Sequence, residues 1–150
     1  MPSSSSPSGH LLEGVTVLNF GTVGPAARAA RTLADYGARV VMISPVSKKG
    51  ALQTKPVYHT YGAGRGFERM RLDLKSETGV EAFLRLAEKA DVVIESYRPG
   101  VVDRLGVGWD AVSGRNPGIV YCSTSGYGQD GPASSWACLL YTSPSPRDRG

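Results

Sequence analysis

The sequence has few cysteines, no long apolar run and no block of like charge. Two cysteines among 150 residues cannot form the disulfide framework of a small secreted domain, so we expect a reducing, cytoplasmic environment. No stretch reaches the roughly 18 apolar residues that a membrane-spanning helix needs. The net charge of +4 is small and spread along the chain, which gives no basis for a nucleic-acid or membrane-surface partner.

The two ends of the chain differ in composition from the part between them. Residues 1–11 begin with MPSSSSPSGH, which is rich in Ser and Pro, and we expect a disordered tail there. From Cys138 the chain reads CLLYTSPSPRDRG, whose first eleven residues resemble the in-frame translation of a sequencing adapter. We therefore expect residues 138–150 to be a non-native tail, with a natural Pro-rich tail as the alternative. Residues 12–137 are expected to form one α/β domain.

Strand-like and helix-like patterns alternate between these ends. Short runs of β-branched and apolar residues predict buried strands at 14–20, 38–44, 68–74, 91–96 and 118–124. Helices are predicted from Pro25, from Ser76, over 101–106 and over 110–115. The order β-α-β-loop-β-α-β-α-β, with a long loop at 45–66, is typical of an α/β fold with a Rossmann-like, doubly wound parallel sheet.

Local signals add detail to the first two helices. The first helix has a stripe of mostly small apolar residues at helical spacing, namely Ala26, Ala29, Ala30 and Leu33. A helix with such a face can lie close against a sheet. Ser76 is the candidate N-cap of the second helix. A start at Thr78, which has capping-box spacing with Glu81, is the alternative.

Turns rich in Gly and Pro follow three of the predicted strands. They lie at Phe20–Pro25, Ser96–Gly100 and Ser125–Pro132. Parallel sheets bind ligands outside the carboxyl ends of their strands, so these turns favour a nucleotide-like ligand at that edge. An NAD(P) site is a weaker alternative. The first turn reads G-x-x-G-P and not G-x-G-x-x-G, and the second strand ends in Ser44 where an NAD site has an acid.

The assembled order of motifs is more specific than any one turn. V-L-N-F, L-A-D-Y-G-A-R-V-V, R-L-D-L-K-S-E-T-G, A-D-V-V-I-E-S-Y-R-P-G-V-V-D-R-L-G and N-P-G-I-V-Y-C-S-T-S-G-Y-G-Q-D-G-P follow one another from about Leu12 to Pro132. This order closely resembles the N-terminal part of the family III CoA-transferases (CaiB/BaiF type), a family that also includes α-methylacyl-CoA racemases. The resemblance implies a Rossmann-like large domain with a separate small domain, in two chains interlocked as a homodimer.

The resemblance also implies which residues contact coenzyme A. It places the backbone around Leu72 and the ammonium group of Lys75 at the adenosine-phosphate end of CoA. Further contacts to CoA are implied for Val23, Gly24, Ser96, Tyr97, Arg98 and Arg104. Lys and Arg suit this ligand because they form charge-assisted hydrogen bonds to its 3′-phosphate and pyrophosphate. Acyl-CoA and a carboxylic acid are the implied substrates, with no tightly bound cofactor.

The catalytic residues of this family have no match here. The resemblance implies an aspartate nucleophile that forms an aspartyl-thioester intermediate, or a His and Asp pair in the racemases, and in both cases they lie after the Ser125–Pro132 turn. We therefore expect this chain alone to be inactive. The alternatives to a CoA-transferase are an α-methylacyl-CoA racemase and a CoA-binding module without catalysis.

Several of these residues also have simpler structural interpretations. Lys75 could be a solvated residue near a helix start, and Tyr97 could simply pack on the core. Arg104 could pair with Asp103 or with a neighbouring helix end. Cys122 lies in a buried strand pattern and is expected to be an inert core thiol. No Cys and His residues have the spacing of metal ligands, so no metal site is expected.

Overall fold

Five parallel strands form one sheet in the order β3-β2-β1-β4-β5 within the residues that the computed structural model describes, 9–21, 24–46 and 64–134. The strands are β1 (Thr16–Asn19), β2 (Arg39–Pro45), β3 (Glu68–Leu72), β4 (Val92–Glu95) and β5 (Val120–Ser123). The described helices are α1 (Gly24–Asp35), α2 (Glu77–Ala87), α3 (Val101–Arg104) and α4 (Trp109–Arg115). The predicted α/β class with a doubly wound parallel sheet is confirmed.

The observed strands keep within the predicted ranges, apart from Pro45, which extends β2 by one residue. The third strand ends two residues earlier than predicted, because Asp73 and Leu74 leave the sheet and begin the turn into α2. Most of the loop predicted at 45–66 lies outside the described residues, as do the tail predicted at 138–150 and the first eight residues of the tail predicted at 1–11. Among the described helices, none is long and apolar enough to cross a membrane.

Each face of the sheet has its own apolar core. Alternate residues of β2 show this, because Val41 contributes to the core beneath α2 and Val40 to the core beneath α1. The predicted alanine stripe of α1 is partly wrong. Ala26 and Ala30 are buried as expected. Ala29 is exposed, however, and Ala27, which is not part of the predicted stripe, is buried.

A capped turn connects β3 to α2. The Ser76 hydroxyl oxygen accepts a 3.1 Å hydrogen bond from the backbone N–H of Gly79, and it donates one of 2.8 Å to the carbonyl oxygen of Asp73. The prediction of Ser76 as the N-cap is confirmed. A helix start at Thr78 is therefore wrong. The cap anchors the segment that carries Leu74 and Lys75 to the end of the sheet.

The polar side chains of Asn116 and Asp91 form hydrogen bonds with backbone groups at the ends of helices or strands. The Asn116 amide nitrogen donates to the carbonyl oxygens of Ala87 and Ala90, at 2.9 and 2.8 Å, and so satisfies the end of α2. The Asp91 carboxylate accepts a 2.8 Å hydrogen bond from the backbone N–H of Thr16 and joins the amino ends of β4 and β1. Both residues therefore stabilise the scaffold at a distance from the carboxyl edge of the sheet.

Candidate functional site

A cavity of about 570 Å³ opens at the carboxyl edge of the sheet. Phe20 follows β1, the end of β2 and Leu72 of β3 form one wall, and Tyr97 from the segment after β4 and Leu105 from the end of α3 complete it. Its volume lies in the range of about 300–1,000 Å³ that is usual for small-molecule sites. The cavity therefore occupies the position where parallel sheets bind their ligands.

Aromatic side chains form the floor of this cavity. The ring of Tyr97 lies 6.0 Å from that of Phe20, which in turn lies 5.0 Å from that of Phe83 in the core beneath α2. Burial raises the pKa of the Tyr97 phenol, and the carboxylate of Glu95 raises it further. Tyr97 thus packs on the core, as its simpler interpretation predicted, and also presents part of its surface to the cavity.

Lys75 stands at the mouth of the cavity and is exposed. Its backbone N–H donates a 3.1 Å hydrogen bond to the carboxylate of Asp73, which fixes the start of the turn that carries it. Lys75 also lines an adjoining groove of about 470 Å³, and Arg104 lies along the same groove. The two cations therefore flank one continuous surface beside the aromatic floor.

Arg104 belongs to the short helix α3, which begins after a glycine turn. Gly100 has a φ of 76°, a left-handed conformation that favours glycine, and a side chain there would approach Arg104 Nη1 to 3.2 Å. The guanidinium thus folds back over the start of its own helix. The simpler interpretation of an ion pair with Asp103 is not found among the described residues.

Three of the other residues implied to contact CoA, namely Ser96, Arg98 and Gly24, do not line the cavity. Ser96 and Arg98 are exposed on the turn that follows β4. Gly24 opens α1 in a left-handed conformation with a φ of 65°. Val23 lies outside the described residues. Of the residues selected from the sequence, the structure therefore groups Leu72, Lys75 and Tyr97 in one cavity and adds Arg104 beside it.

Sequence reasoning missed several residues at this edge. Phe20, Asp73 and Leu105 line the cavity although no ligand role was predicted for them. Phe20 ends one predicted strand and Asp73 lies one residue before the end of another, so their position in the chain is a signal that could have identified them. Glu95 was also missed. It ends β4 and its carboxylate is buried, with 1% of the residue exposed.

Metal and thiol chemistry find no support in the described part of the chain. No group of three or more His, Cys, Asp or Glu residues could hold a metal ion there. Cys122 is not in a disulfide and is only partly buried in β5, against the core beneath α1. The buried hydroxyl of Ser125, just after β5, has no hydrogen-bond partner among the described residues.

The sequence matches one family model and, among others, three curated proteins. The model of CoA-transferase family III matches residues 12–142. A probable fatty acyl-CoA transferase of Mycobacterium tuberculosis is 36% identical over 134 residues, which cover 83% of this chain and 34% of the relative. An acetyl-CoA:oxalate CoA-transferase of Acetobacter aceti is 37% identical, with 69% and 28% covered. A human alpha-methylacyl-CoA racemase is 33% identical, with 80% and 29% covered.

Solved structures of similar fold lead to the same group. A crystal structure of the mycobacterial protein superposes with a TM-score of 0.77 and 32% identity, over 93% of this chain and 43% of that one. A CAIB/BAIF family protein of Brucella suis has a TM-score of 0.78 and 26% identity, over 87% and 37%. The chain thus spans about a third of the length of the curated relatives it matches.

Proposed function

The chain belongs to CoA-transferase family III, and from this premise we propose that its strand-end cavity binds the nucleotide end of CoA. The intact enzyme to which this sequence corresponds would transfer CoA from an acyl-CoA to a carboxylic acid. The observation that carries the proposal is the meeting of Leu72, Lys75 and Tyr97 in one cavity, with Arg104 in the adjoining groove.

The chemistry of these side chains suits the two parts of the nucleotide. The aromatic floor made by Phe20 and Tyr97 offers apolar surface to a base. Lys75 and Arg104 are exposed cations at the mouth of the cavity and along the groove. Their charges can form charge-assisted hydrogen bonds with the 3′-phosphate and the pyrophosphate of CoA. The backbone around Leu72 lies between these two regions, at the end of β3.

The transfer step in this proposal requires an aspartate nucleophile. Its carboxylate attacks the acyl-CoA carbonyl and displaces the CoA thiolate, which then attacks the aspartyl carbonyl of the resulting mixed anhydride. This releases the first carboxylic acid and leaves an aspartyl thioester, from which CoA passes to the second acid.

Three of the described aspartates have structural roles. Asp73 accepts a hydrogen bond from the Lys75 backbone, Asp91 accepts one from the Thr16 backbone, and Asp103 packs against Gly108. We therefore propose that this chain binds CoA without catalysing transfer.

A racemase is the second candidate within the same family. The match to the human alpha-methylacyl-CoA racemase supports it, and a CoA-binding cavity serves either reaction. Isotope labelling of the intact enzyme distinguishes the transferase reaction from the racemase reaction. A transferase moves labelled CoA between acids, whereas a racemase exchanges the α-hydrogen of its substrate with solvent deuterium.

Ligand binding by the 150-residue chain tests the proposal directly. Calorimetric titrations with CoA and with 3′-dephospho-CoA are compared at low salt. We expect CoA to bind about five times more tightly, because only CoA carries the 3′-phosphate that the cations can pair with. Equal and weak retention of both ligands would overturn the proposed site. A turnover assay with several acyl-CoA donors is expected to remain at the blank level.

A further inference from the structure

Glu95 is a buried carboxylate at the ligand edge of the sheet. It ends β4, and only 1% of the residue is exposed. Ionisable side chains are rarely buried to this degree unless hydrogen bonds compensate for the lost hydration. An apolar residue of similar size would fill the same space at the end of a buried strand without that penalty. The carboxylate at this position therefore needs a local explanation.

The hydrogen bonds of Glu95 connect the end of β4 to the turn that follows it and to the segment after β5. Its carboxylate accepts a 2.7 Å hydrogen bond from the backbone N–H of Tyr97, two residues further along the chain. Its own carbonyl oxygen accepts hydrogen bonds from the backbone N–H and the hydroxyl of Thr124, at 2.9 and 3.0 Å. The side-chain bond forces the chain to turn at Ser96 and brings the ring of Tyr97 back over the core.

The segment that this turn directs carries ligand-site residues. Tyr97 lines the cavity and lies 6.0 Å from Phe20, and Arg98 follows it on the exposed side. Without the acceptor of Glu95, the N–H of Tyr97 would lose its partner and the turn could adopt other conformations. The geometry at the site would then have to be restored when the ligand binds, which weakens binding.

We infer that Glu95 is a positioning residue for the CoA site, holding the turn that presents Tyr97 in its binding conformation before the ligand arrives. This inference rests on the proposed function. Glu95 acts through the backbone of Tyr97 and does not itself contact CoA. The property required of residue 95 is a hydrogen-bond acceptor, and its charge is not needed.

Two substitutions distinguish the effect of the hydrogen-bond acceptor of Glu95 from the effect of its side-chain volume. Glu95→Met keeps a similar volume in an apolar form that suits the buried position but cannot accept the hydrogen bond. Glu95→Gln keeps an acceptor oxygen and removes the charge. We expect E95M to weaken CoA binding by about tenfold, because the backbone N–H of Tyr97 is left without its acceptor, whereas E95Q binds within about twofold of the wild type.

Asp91 supplies the matched control at the other end of the same strand. Its carboxylate also accepts a backbone N–H, that of Thr16, but at the amino edge of the sheet. Asp91→Ala is expected to lower the unfolding temperature while leaving the CoA affinity unchanged. Titrations are made at a temperature where each variant is folded by circular dichroism.

Amide hydrogen exchange of the wild-type chain gives a readout that needs no variant. If the turn is held in advance, the Tyr97 amide is protected before CoA is added. Fast exchange of that amide, or equal CoA affinities for E95M, E95Q and the wild type, would overturn the inference and leave the proposed function intact. Failure of the wild-type chain to retain CoA would overturn both.

Discussion

The carbonyl oxygen of Asp73 lies against the backbone of Gly79, so close that a Cβ atom at residue 79 would overlap it. The Ser76 hydroxyl closes the same turn by donating to Asp73 and accepting from Gly79. The S-x-x-G part of the L-D-L-K-S-E-T-G motif is thus a requirement of backbone packing. The hydrogen bonds of this turn hold the segment that places Lys75 at the cavity.

Replacement of Gly79 by alanine is expected to destabilise the domain. The new Cβ atom has to displace the Asp73 carbonyl, and overpacking of this kind costs about 1–3 kcal/mol. The same change at Gly114, in the exposed part of α4 with no atom within 4 Å of the new Cβ, is expected to stabilise by about 0.5 kcal/mol. Urea denaturation of both variants measures the difference. Equal effects would contradict the packing argument.

Asn116→Ala is expected to lower the free energy of unfolding by about 1–3 kcal/mol, because the Ala90 carbonyl oxygen loses the amide donor and the Ala87 carbonyl oxygen keeps only the N–H of Ala90. Ser113→Ala serves as the control. Its hydroxyl makes only a 3.5 Å contact with the Asp110 carbonyl, and the change is expected to stay within about 0.5 kcal/mol. Thermal unfolding followed by circular dichroism distinguishes the two. A stable N116A variant would show that water replaces the amide at these carbonyls.

Lys75→Ala is expected to weaken CoA binding by about fivefold, because one exposed cation beside a phosphate is worth about 1 kcal/mol. Lys89 lies beyond the opposite end of α2 and is also exposed, so Lys89→Ala removes the same charge away from the cavity. Affinities measured at low and high salt check the result. A similar loss in both variants would indicate a general effect of net charge and no contact from Lys75.

Tyr121 gives the domain a dependence on alkaline pH. Its hydroxyl donates a 2.9 Å hydrogen bond to the Val107 carbonyl, and burial first, then the charges of Glu95 and Asp103, raises its pKa above the ordinary value of 10.0. The folded state therefore holds this proton more tightly than the unfolded state does. The resulting stability is fully present below about pH 10 and is lost as the pH rises further.

Tyr121→Phe tests this linkage. The variant loses the hydrogen bond and is expected to be about 1 kcal/mol less stable than the wild type at neutral pH. Above about pH 10 the difference is expected to shrink, because only the wild type pays to ionise a buried phenol. Urea denaturation at a series of pH values measures it. A difference that stays constant through the alkaline range would contradict the raised pKa.

The sequence predicted the site only in part. Leu72, Lys75 and Tyr97 meet in one cavity, but Ser96 and Arg98 stay on the exposed side of their turn. Neighbouring residues in a turn point in different directions, and a one-dimensional motif does not say which of them faces the ligand. The hydrogen bond of the Glu95 side chain was missed for the same reason, since it joins the carboxylate to the backbone of Tyr97.

The sequence by itself determined the number and kind of the described elements. Strand runs, the Ser76 cap and the positions of the turns all depend on interactions within a few residues, and such local interactions are legible in a linear pattern. It also determined the edge at which we propose that CoA binds, because strands in a parallel sheet share one carboxyl edge.

Only the tertiary structure decided which of those turns are neighbours. The order β3-β2-β1-β4-β5 brings the ends of β1, β2 and β3 and the segment after β4 around one cavity. That order depends on pairing between segments far apart in the chain, such as Val17 with Val92. The tertiary structure also decided which face of α1 is buried. Ala27 is buried and Ala29 is exposed because of how the helix is rotated against the sheet.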